Sequence, residues 1–422
     1  MEKLLIIIAL VFAAPSLLAK KKDKDAKKKG KTLKQKEGGK SPRPKLDLSS
    51  GLKFKDSDSE KEYKVSGRVM ADWASFNQDL RRSEFISAAE VRSARLGISG
   101  KLYNNWEWAL KLDYAGGSAD IKSASASYSP IKGLKLSAGL LSENFGLDDN
   151  ISTAKHPLME RSLQTGAFGG DDRLGVTINY ASKRFMVELG GLDDTESQNG
   201  EVENRTRSYN FRASVAPLLA KSYGMHAGIS AYEHIHRGGE GSQREAKFSS
   251  RPGVHVTDVK LVDTDDIKYT DYVQAGALEW GLSLHSFLFL AEYTLVQVTP
   301  LKNAAAGIRR RNFDGGFLLV SYALTGQSRK YDPKSGSFGG ISIDKSSEMA
   351  GFGAMELAIR FDFIDLNDVD LKGGEEENYT FGFNWYLNNN FKLAANFIQV
   401  NSERSGARDR PRVVGIRAQF TY

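Results

Sequence analysis

Two groups of basic side chains in this 422-residue chain have the type and spacing to hold oxyanions. The first is spread along segments in which every second residue is apolar. Arg68, Arg95, Lys101, Lys111, Arg212, Arg360 and Arg417 all occupy the polar alternate positions. The second is gathered in one polar stretch, where Lys155, His156, Glu160, Arg161 and Arg173 are flanked by Asp148, Asp149, Asp171 and Asp172. A guanidinium presents a planar fork of donors that matches phosphate or carboxylate oxygens and keeps its charge at any working pH, whereas an ammonium is a compact point charge. Acids share the same alternate positions, among them Asp72, Glu107, Asp113, Glu188, Glu356 and Asp362. Pairing within the wall therefore competes with ligand binding: Arg360 with Glu356 or Asp362, and Lys111 with Asp113. In the polar stretch, Arg161 either meets a passing anion or pins its own segment, and Glu160 suits the pinning role.

What positions these charges is a series of strands. Tyr379, Phe381, Phe383, Trp385 and Leu387 alternate with Thr380, Gly382, Asn384 and Tyr386. The last segment sets Val414, Ile416, Ala418, Phe420 and Tyr422 against Gly415, Arg417, Gln419 and Thr421. Period two gives a strand one oily face and one wet face. In 106–114, Trp106, Trp108, Leu110, Leu112 and Tyr114 form the oily face, with aromatic residues at both ends as at the two edges of a membrane. The same reading predicts strands at 63–76, 91–102, 121–129, 134–142, 172–181, 184–192, 205–217, 223–236, 270–282, 285–298, 312–326, 351–366, 376–387, 391–402 and 411–422. With 106–114 these make sixteen. The expectation is an all-β chain, a sixteen-stranded antiparallel transmembrane β-barrel, wide enough to leave an aqueous interior. Residues 143–171, 193–204 and 237–269 fall where long extracellular loops belong, and 254–262 is read as part of the last of them. Strand parity puts 327–350 on the periplasmic side, an unusual place for a long connection.

Mean hydropathy is −0.41, as expected when half of each strand faces water. No run after residue 19 reaches the ~20 apolar residues of a membrane helix. Residues 1–19, with Lys3 before an apolar core from Leu4 to Ala14, read as a secretory signal peptide. Residues 20–62 read as a Lys-rich disordered periplasmic tail and 63–422 as the outer-membrane barrel. Between residues 20 and 45 there are twelve Lys and one Arg against three acids, so within a whole-chain net charge of +7 the remainder is slightly acidic. The tail is a solvated spacer or an electrostatic tether to anionic envelope polymers. Nucleic acid is not a partner for an exported chain. Gly39-Lys40-Ser41 is not a phosphate-binding loop, because Lys34 stands where the first glycine belongs and no strand precedes it.

Several motifs in order resemble the phosphate-selective porin O and P family. They are Arg95-Leu96-Gly97 with Gly100-Lys101-Leu102, Glu143-Asn144-Phe145-Gly146-Leu147, Met159-Glu160-Arg161-Ser162-Leu163 and Ala291-Glu292-Tyr293. Then follow Ser321-Tyr322-Ala323-Leu324-Thr325-Gly326-Gln327-Ser328-Arg329 with Tyr331, Met355-Glu356-Leu357-Ala358-Ile359-Arg360, Asp365-Leu366-Asn367-Asp368 and Asn384-Trp385-Tyr386. The resemblance implies an outer-membrane barrel, usually a homotrimer, that passes small anions such as phosphate. It also implies an inward-folded third loop, with the fifth loop and a long periplasmic turn narrowing the lumen. Arg161, Lys155, Arg173, Arg68, Arg95, Lys101, Lys111, Arg360 and Arg417 are then the candidate pore-lining and constriction residues. The chain departs from the family at Arg92-Ser93, where a pair of arginines is expected, and in a barrel body that is not basic.

Catalytic signals are thin. Ser152, His156 and Ser162 lie near one another, yet no G-x-S-x-G occurs. His234 and His236 share a strand face without a third ligand at a recognisable spacing, and Asp263, Asp265 and Asp266 fit no EF-hand. No enzyme, cofactor or metal is expected. The main functional reading is passive diffusion of small anions or polar solutes through a water-filled barrel. The rival is a plugged structural or adhesive barrel anchored to the envelope by its basic tail.

Overall fold

The computed structural model describes residues 45–46, 52–56, 61–77, 85–194, 205–238, 244–302, 304, 308–343 and 351–422. The signal peptide expected at 1–19 and most of the basic tail lie outside the described residues. Sixteen long strands form the wall. They are β1 (Lys61–Asn77), β2 (Ala88–Leu102), β3 (Trp106–Asp113), β4 (Asp120–Tyr128), β5 (Leu134–Ser142), β6 (Asp172–Ala181), β7 (Phe185–Asp193) and β8 (Arg205–Val215). The second half comprises β9 (Tyr223–Arg237), β10 (Thr270–Leu284), β11 (Phe287–Pro300), β12 (Arg311–Ala323), β13 (Ala354–Asp368), β14 (Leu371–Tyr386), β15 (Phe391–Arg404) and β16 (Arg412–Thr421). Each pairs antiparallel with the next, and β16 pairs with β1, setting Arg417 opposite Asp72 and Thr421 opposite Arg68. The ring is closed and no wall strand is left with an unpaired edge. At the seam Gly67 and Tyr422 exchange backbone hydrogen bonds of 3.0 Å. The Tyr422 ring lies over Gly67, where any Cβ would collide with it.

Leu52–Asp56 departs from the expectation of a disordered tail. It pairs with β1, Leu52 opposite Val65 and Asp56 opposite Lys61. Leu52 and Phe54 alternate with Lys53 and Lys55, a strand pattern masked by the lysine run upstream. Residues 254–262 run as loop, as expected. Only Val262–Asp263 joins a two-residue ladder, with Ser249–Ser250.

Outward faces are apolar and open to the surroundings, as at Leu278 (64% exposed), Leu318 (61%) and Ile359 (61%). Inward faces differ around the ring. On β4–β6 they carry Ser125, Ser127, Ser137, Thr177 and Asn179. On β10–β12 they carry Val273, Leu290, Val296, Phe313 and Leu319, all buried. A strand buried on both faces reads as a continuous apolar run rather than an alternating one, as in Phe287-Leu288-Phe289-Leu290. The core therefore lies inside the barrel, against one wall.

Candidate functional site: the lumen

Three segments fill the apolar side of the lumen. The first is residues 143–171 between β5 and β6, with short helices α1 (Leu147–Asn150) and α2 (Leu163–Phe168). Its backbone is held by side chains of the far wall. Glu292 accepts from the amides of Leu147 and Asp148, and Asp362 from Leu163 N at 2.8 Å. Asn384 donates to Pro157 O at 2.6 Å and Gln419 to Ala154 O at 3.0 Å. Side chains of the loop key into glycines on inward strand faces. Leu158 covers Gly382, Met159 covers Gly415, and Gln164 stands on Gly315. Filling one of these sockets costs about 1–3 kcal/mol by overpacking. Gly382→Val is thus expected to lower the unfolding temperature and to add noise to single-channel records; identical records would show that Leu158 is not a keyed contact.

The charged latch of this loop is a four-membered set. Arg417 bonds Asp72 and Glu160, each at 2.6 Å, and Arg92 bonds Glu160 at 2.9 Å. Burial opposes ionisation of Glu160, but Arg92 and Arg417 hold its carboxyl down at about 2. Arg360 pairs with Asp362 at 3.0 Å and donates to Glu160 O at 2.8 Å. Arg92 reaches the lumen because β2 carries a bulge: Ser93 faces Met70 and Val91 faces Ala71, leaving Arg92 as the extra residue. Such a bulge re-aims one side chain.

The second segment is the connection between β9 and β10, described at 238 and over 244–269. Phe248 packs edge-on against Phe168 (5.5 Å between ring centres) and against Phe313 (5.6 Å), while Val254 and Leu261 lie on Ile398, Val400 and Val413. The third is the long connection between β12 and β13, described up to residue 343 and again from 351. Its hairpin, Tyr331–Asp332 on Ser337–Phe338, inserts Tyr331 and Phe338 beside Leu147, Ile151 and Leu158. Arg329 anchors it, bonding Glu356 at 2.8 Å and donating to Lys155 O and Gly339 O. Arg212 pairs with Glu279 at 2.7 Å and donates to Gly336 O at 2.8 Å. The unusual length of this connection is thus accounted for by a hairpin folded inward.

Open space remains along β1–β7 and reaches the start of β15 and the end of β16. A cavity of about 650 Å³ is bordered by Lys64, Arg68, Arg95, Lys111, Lys155 and Lys392, and among the described residues no acidic side chain borders it. A second, of about 760 Å³, shares Arg95 and Lys111 with the first and is bordered also by Arg161, Lys334, Asp149, Asp171, Asp172 and Glu188. Four of the nine expected pore residues, Arg68, Arg95, Lys111 and Lys155, therefore meet in one cationic chamber, and Arg161 faces the second cavity. Lys101 stands apart, in a smaller pocket, bonded to Glu107 at 2.7 Å. Arg360 and Arg417 point inward, as parity requires, but the loop covers them and they border neither cavity. Arg173 is likewise enclosed, among Glu143, Asp171 and Asp194. The pairing expected between Lys111 and Asp113 does not form: Asp113 is taken by Arg95 at 2.7 Å across the strand pair, because Arg95 and Asp113 are direct register partners. Lys64 and Lys392 complete the chamber. Lys392 was legible as an inward position between the outward Phe391 and Leu393.

Arg161 has a double tie, to the Asp149 carboxylate at 2.9 Å and to Asp149 O at 2.6 Å. Burial, reinforced by Asp148, Asp172 and Asp171, pushes Asp149 up to about 6 against the pull of Arg161. An unfolded aspartate titrates near 3.8. Between about 4 and 6 the folded loop thus keeps a proton that the unfolded loop has lost, so this group favours the folded loop increasingly as pH falls through 6. Neutralising Asp149 also leaves Arg161 uncompensated beside the cavity. Anion over cation permeability is expected to rise between pH 7 and pH 5, and Asp149→Asn to remove that rise. A flat pH profile in the unmodified protein would count against it.

His156, expected as a surface hydrogen-bonding group, is buried. Its Nε2 lies 2.8 Å from Asp148, and Ser162 also bonds Asp148, at 2.9 Å, rather than His156, so these residues brace the loop and form no serine–histidine pair. His234 lies 3.0 Å from Glu143. Asp265 pairs with Arg404 at 2.7 Å.

Comparison with known proteins agrees with this geometry. The family model for phosphate-selective porin O and P matches residues 63–422. Porin O of Pseudomonas aeruginosa is 22% identical over 391 residues, covering 85% of this chain and 87% of that protein. An uncharacterised protein of Caulobacter vibrioides is 26% identical over 380 residues, covering 86% and 74%. Among solved structures, the anion-selective porin from Comamonas acidovorans has a TM-score of 0.53 at 10% identity, covering 86% of this chain and 100% of that one. OmpT, an outer membrane protein of Vibrio cholerae, has a TM-score of 0.54 at 12% identity, covering 87% and 99%. At such identities the structural likeness speaks for the barrel fold alone.

Proposed function

The chain belongs to the phosphate-selective porin O and P family and is an outer-membrane porin, a channel rather than an enzyme, and from that premise we propose that small oxyanions, inorganic phosphate among them, pass through its cationic chamber. The observation that carries this reading is the lining of that chamber. Six basic side chains border it and, among the described residues, no acid does, although the barrel body as a whole is slightly acidic. Among the described residues Arg68, Lys111 and Lys155 have no salt bridge, Arg68 donating to the Ser93 hydroxyl at 3.3 Å. Their charge is therefore available to a solute. The volume far exceeds one phosphate ion, so the ion passes with part of its hydration shell, drawn by field rather than by a fitted cradle.

In this reading the rim with the long loops is extracellular and the inserted hairpin between β12 and β13 enters from the periplasm. The outward apolar belt meets outer-membrane lipid. Three copies associate, as in the trimer form of Vibrio cholerae OmpT, through the flat outward faces of β4 and β5, where Ala124, Ala126 and Ala138 stand. Chemical cross-linking of the purified protein is expected to give a three-copy band.

Purified protein in planar bilayers is expected to show stepwise conductance, a reversal potential on the anion side in a salt gradient, and chloride current that falls as phosphate is added. A cation-side potential, or chloride current indifferent to phosphate, would overturn the oxyanion reading. Absence of any conductance would favour the plugged structural barrel, against which the two adjoining cavities now stand.

A further inference from the structure

The second cavity differs from the first in a way that anion passage does not require. The part of its wall built by strands is split by sign. Arg95, Lys111 and Lys135 come from β2, β3 and β5, whereas Asp172 and Glu188 come from β6 and β7. On the same strand wall stand the short neutral side chains Ser137, Thr177 and Asn179, while the inner segments add Glu143, Asp149, Asp171, Arg161 and Lys334 to the border. Most other charges inside the barrel are spent on each other, as in the Arg417–Asp72–Glu160, Arg212–Glu279 and Arg329–Glu356 sets. Asp172 and Glu188 are not. Asp172 accepts from the Ser142 hydroxyl and Glu188 from the Asn179 amide at 3.0 Å, and among the described residues neither forms a salt bridge. Lys111 forms none either. Two unpaired acids beside an anion path repel a pure anion, yet they border the same cavity as the basic pair, Arg95 and Lys111, that leads into the cationic chamber.

We propose that this cavity selects solutes carrying an ammonium as well as an oxyanion, namely zwitterionic phosphomonoesters. The oxyanion end lies at Lys111 and Arg95 and the ammonium end at Asp172 or Glu188. This rests on the oxyanion reading of the adjoining chamber and names the solute class that the wider cavity adds to it. An exposed charge contact in water is worth little, so the preference is modest, about two- to fivefold in binding, and it weakens at high salt.

The test is block of chloride current through single channels at pH 7.5 and low ionic strength. The probes are inorganic phosphate, ethyl phosphate and phosphoethanolamine, the last two differing by the ammonium. Phosphoethanolamine is expected to reach half-block at about two- to fivefold lower concentration than ethyl phosphate. The Asp172→Asn, Glu188→Gln double variant is expected to bring the two blockers together. Both substitutions keep shape and remove only unpaired charge, and heat-modifiable migration on gels checks that the variant barrel is assembled. Equal block by the two esters in the unmodified protein, or a preference that persists in the double variant, overturns this proposal alone. Failure of all three phosphates to block a conducting channel overturns the oxyanion reading, and this proposal with it.

Discussion

Reversing the charge of Lys111 and Lys155 together is expected to turn an anion-preferring channel into one that favours cations. Both side chains are exposed to the chamber, and neither has a salt bridge among the described residues. The substitutions Lys111→Glu and Lys155→Glu therefore break no ion pair and leave the wall's hydrogen bonds in place. Each changes the local charge by two. In water a unit charge about 8 Å from a passing ion contributes roughly 0.5 kcal/mol. Four charge units then amount to about 2 kcal/mol of opposite sign for the two ions, roughly 30-fold less anion and roughly 30-fold more cation at low salt. Screening shrinks this as ionic strength rises, since the Debye length at 0.1 M is only about 10 Å. Reversal potentials in a tenfold salt gradient measure the effect directly. If the sign of the potential does not move, selectivity is set elsewhere, and the ties of Arg161 to the second cavity become the first place to look.

Arg417→Ala should have the largest effect on stability of any single change. Arg417 is buried, bonds two carboxylates at 2.6 Å and also donates to Met159 O. Removing it leaves Asp72 without a counter-charge and Glu160 with Arg92 alone. Truncating one partner of a buried ion pair costs about 3–5 kcal/mol, because the remaining charge is stranded. The barrel wall is closed by backbone bonds and survives this loss; the loop seated on β14–β16 does not. The expected signs are a lower temperature for loss of heat-resistant migration on gels and larger, noisier single-channel currents as residues 154–162 lift from the wall. Arg92→Ala is the matched control. The Arg92 side chain is 23% exposed and has a single partner, so its loss should cost well under half as much. Equal effects from the two substitutions would mean that the latch does not depend on Arg417.

The strands were legible because membrane and water impose period two on each of them. Trp106, Trp108, Leu110 and Leu112 on β3, or Val414, Ile416 and Phe420 on β16, leave no other assignment. Inward or outward placement was legible for the same reason, and it holds for Arg68, Arg95, Lys111, Arg360 and Arg417. What period two cannot convey is which inward positions remain wet. Asp72 and Arg417 lie 345 residues apart and meet only because the ring closes. Arg95 takes Asp113 because register places them opposite one another, while the alternation along β3 suggested only Lys111. Arg92 faces inward because a bulge shifts its phase, and a bulge leaves no trace in hydrophobic pattern. One signal was present but unused: β11 and β12 are apolar on both faces, at Phe287-Leu288-Phe289-Leu290 and Phe317-Leu318-Leu319-Val320, and that lack of alternation marks the wall against which the loops would fold.

The glycine sockets at Gly315, Gly382 and Gly415 have a consequence for how such a channel can change. They fasten the inner segments to β12–β16, so the open space runs off-centre, mainly along the staves from β1 to β7. Most of the basic residues that meet a solute, Arg68, Arg95 and Lys111 among them, thereby stand on one flank of the circumference and the sockets on the other, with Lys392 and the Asp72–Arg92 side of the latch as the exceptions. Solute preference can drift by exchanges on the first flank while the second is left untouched.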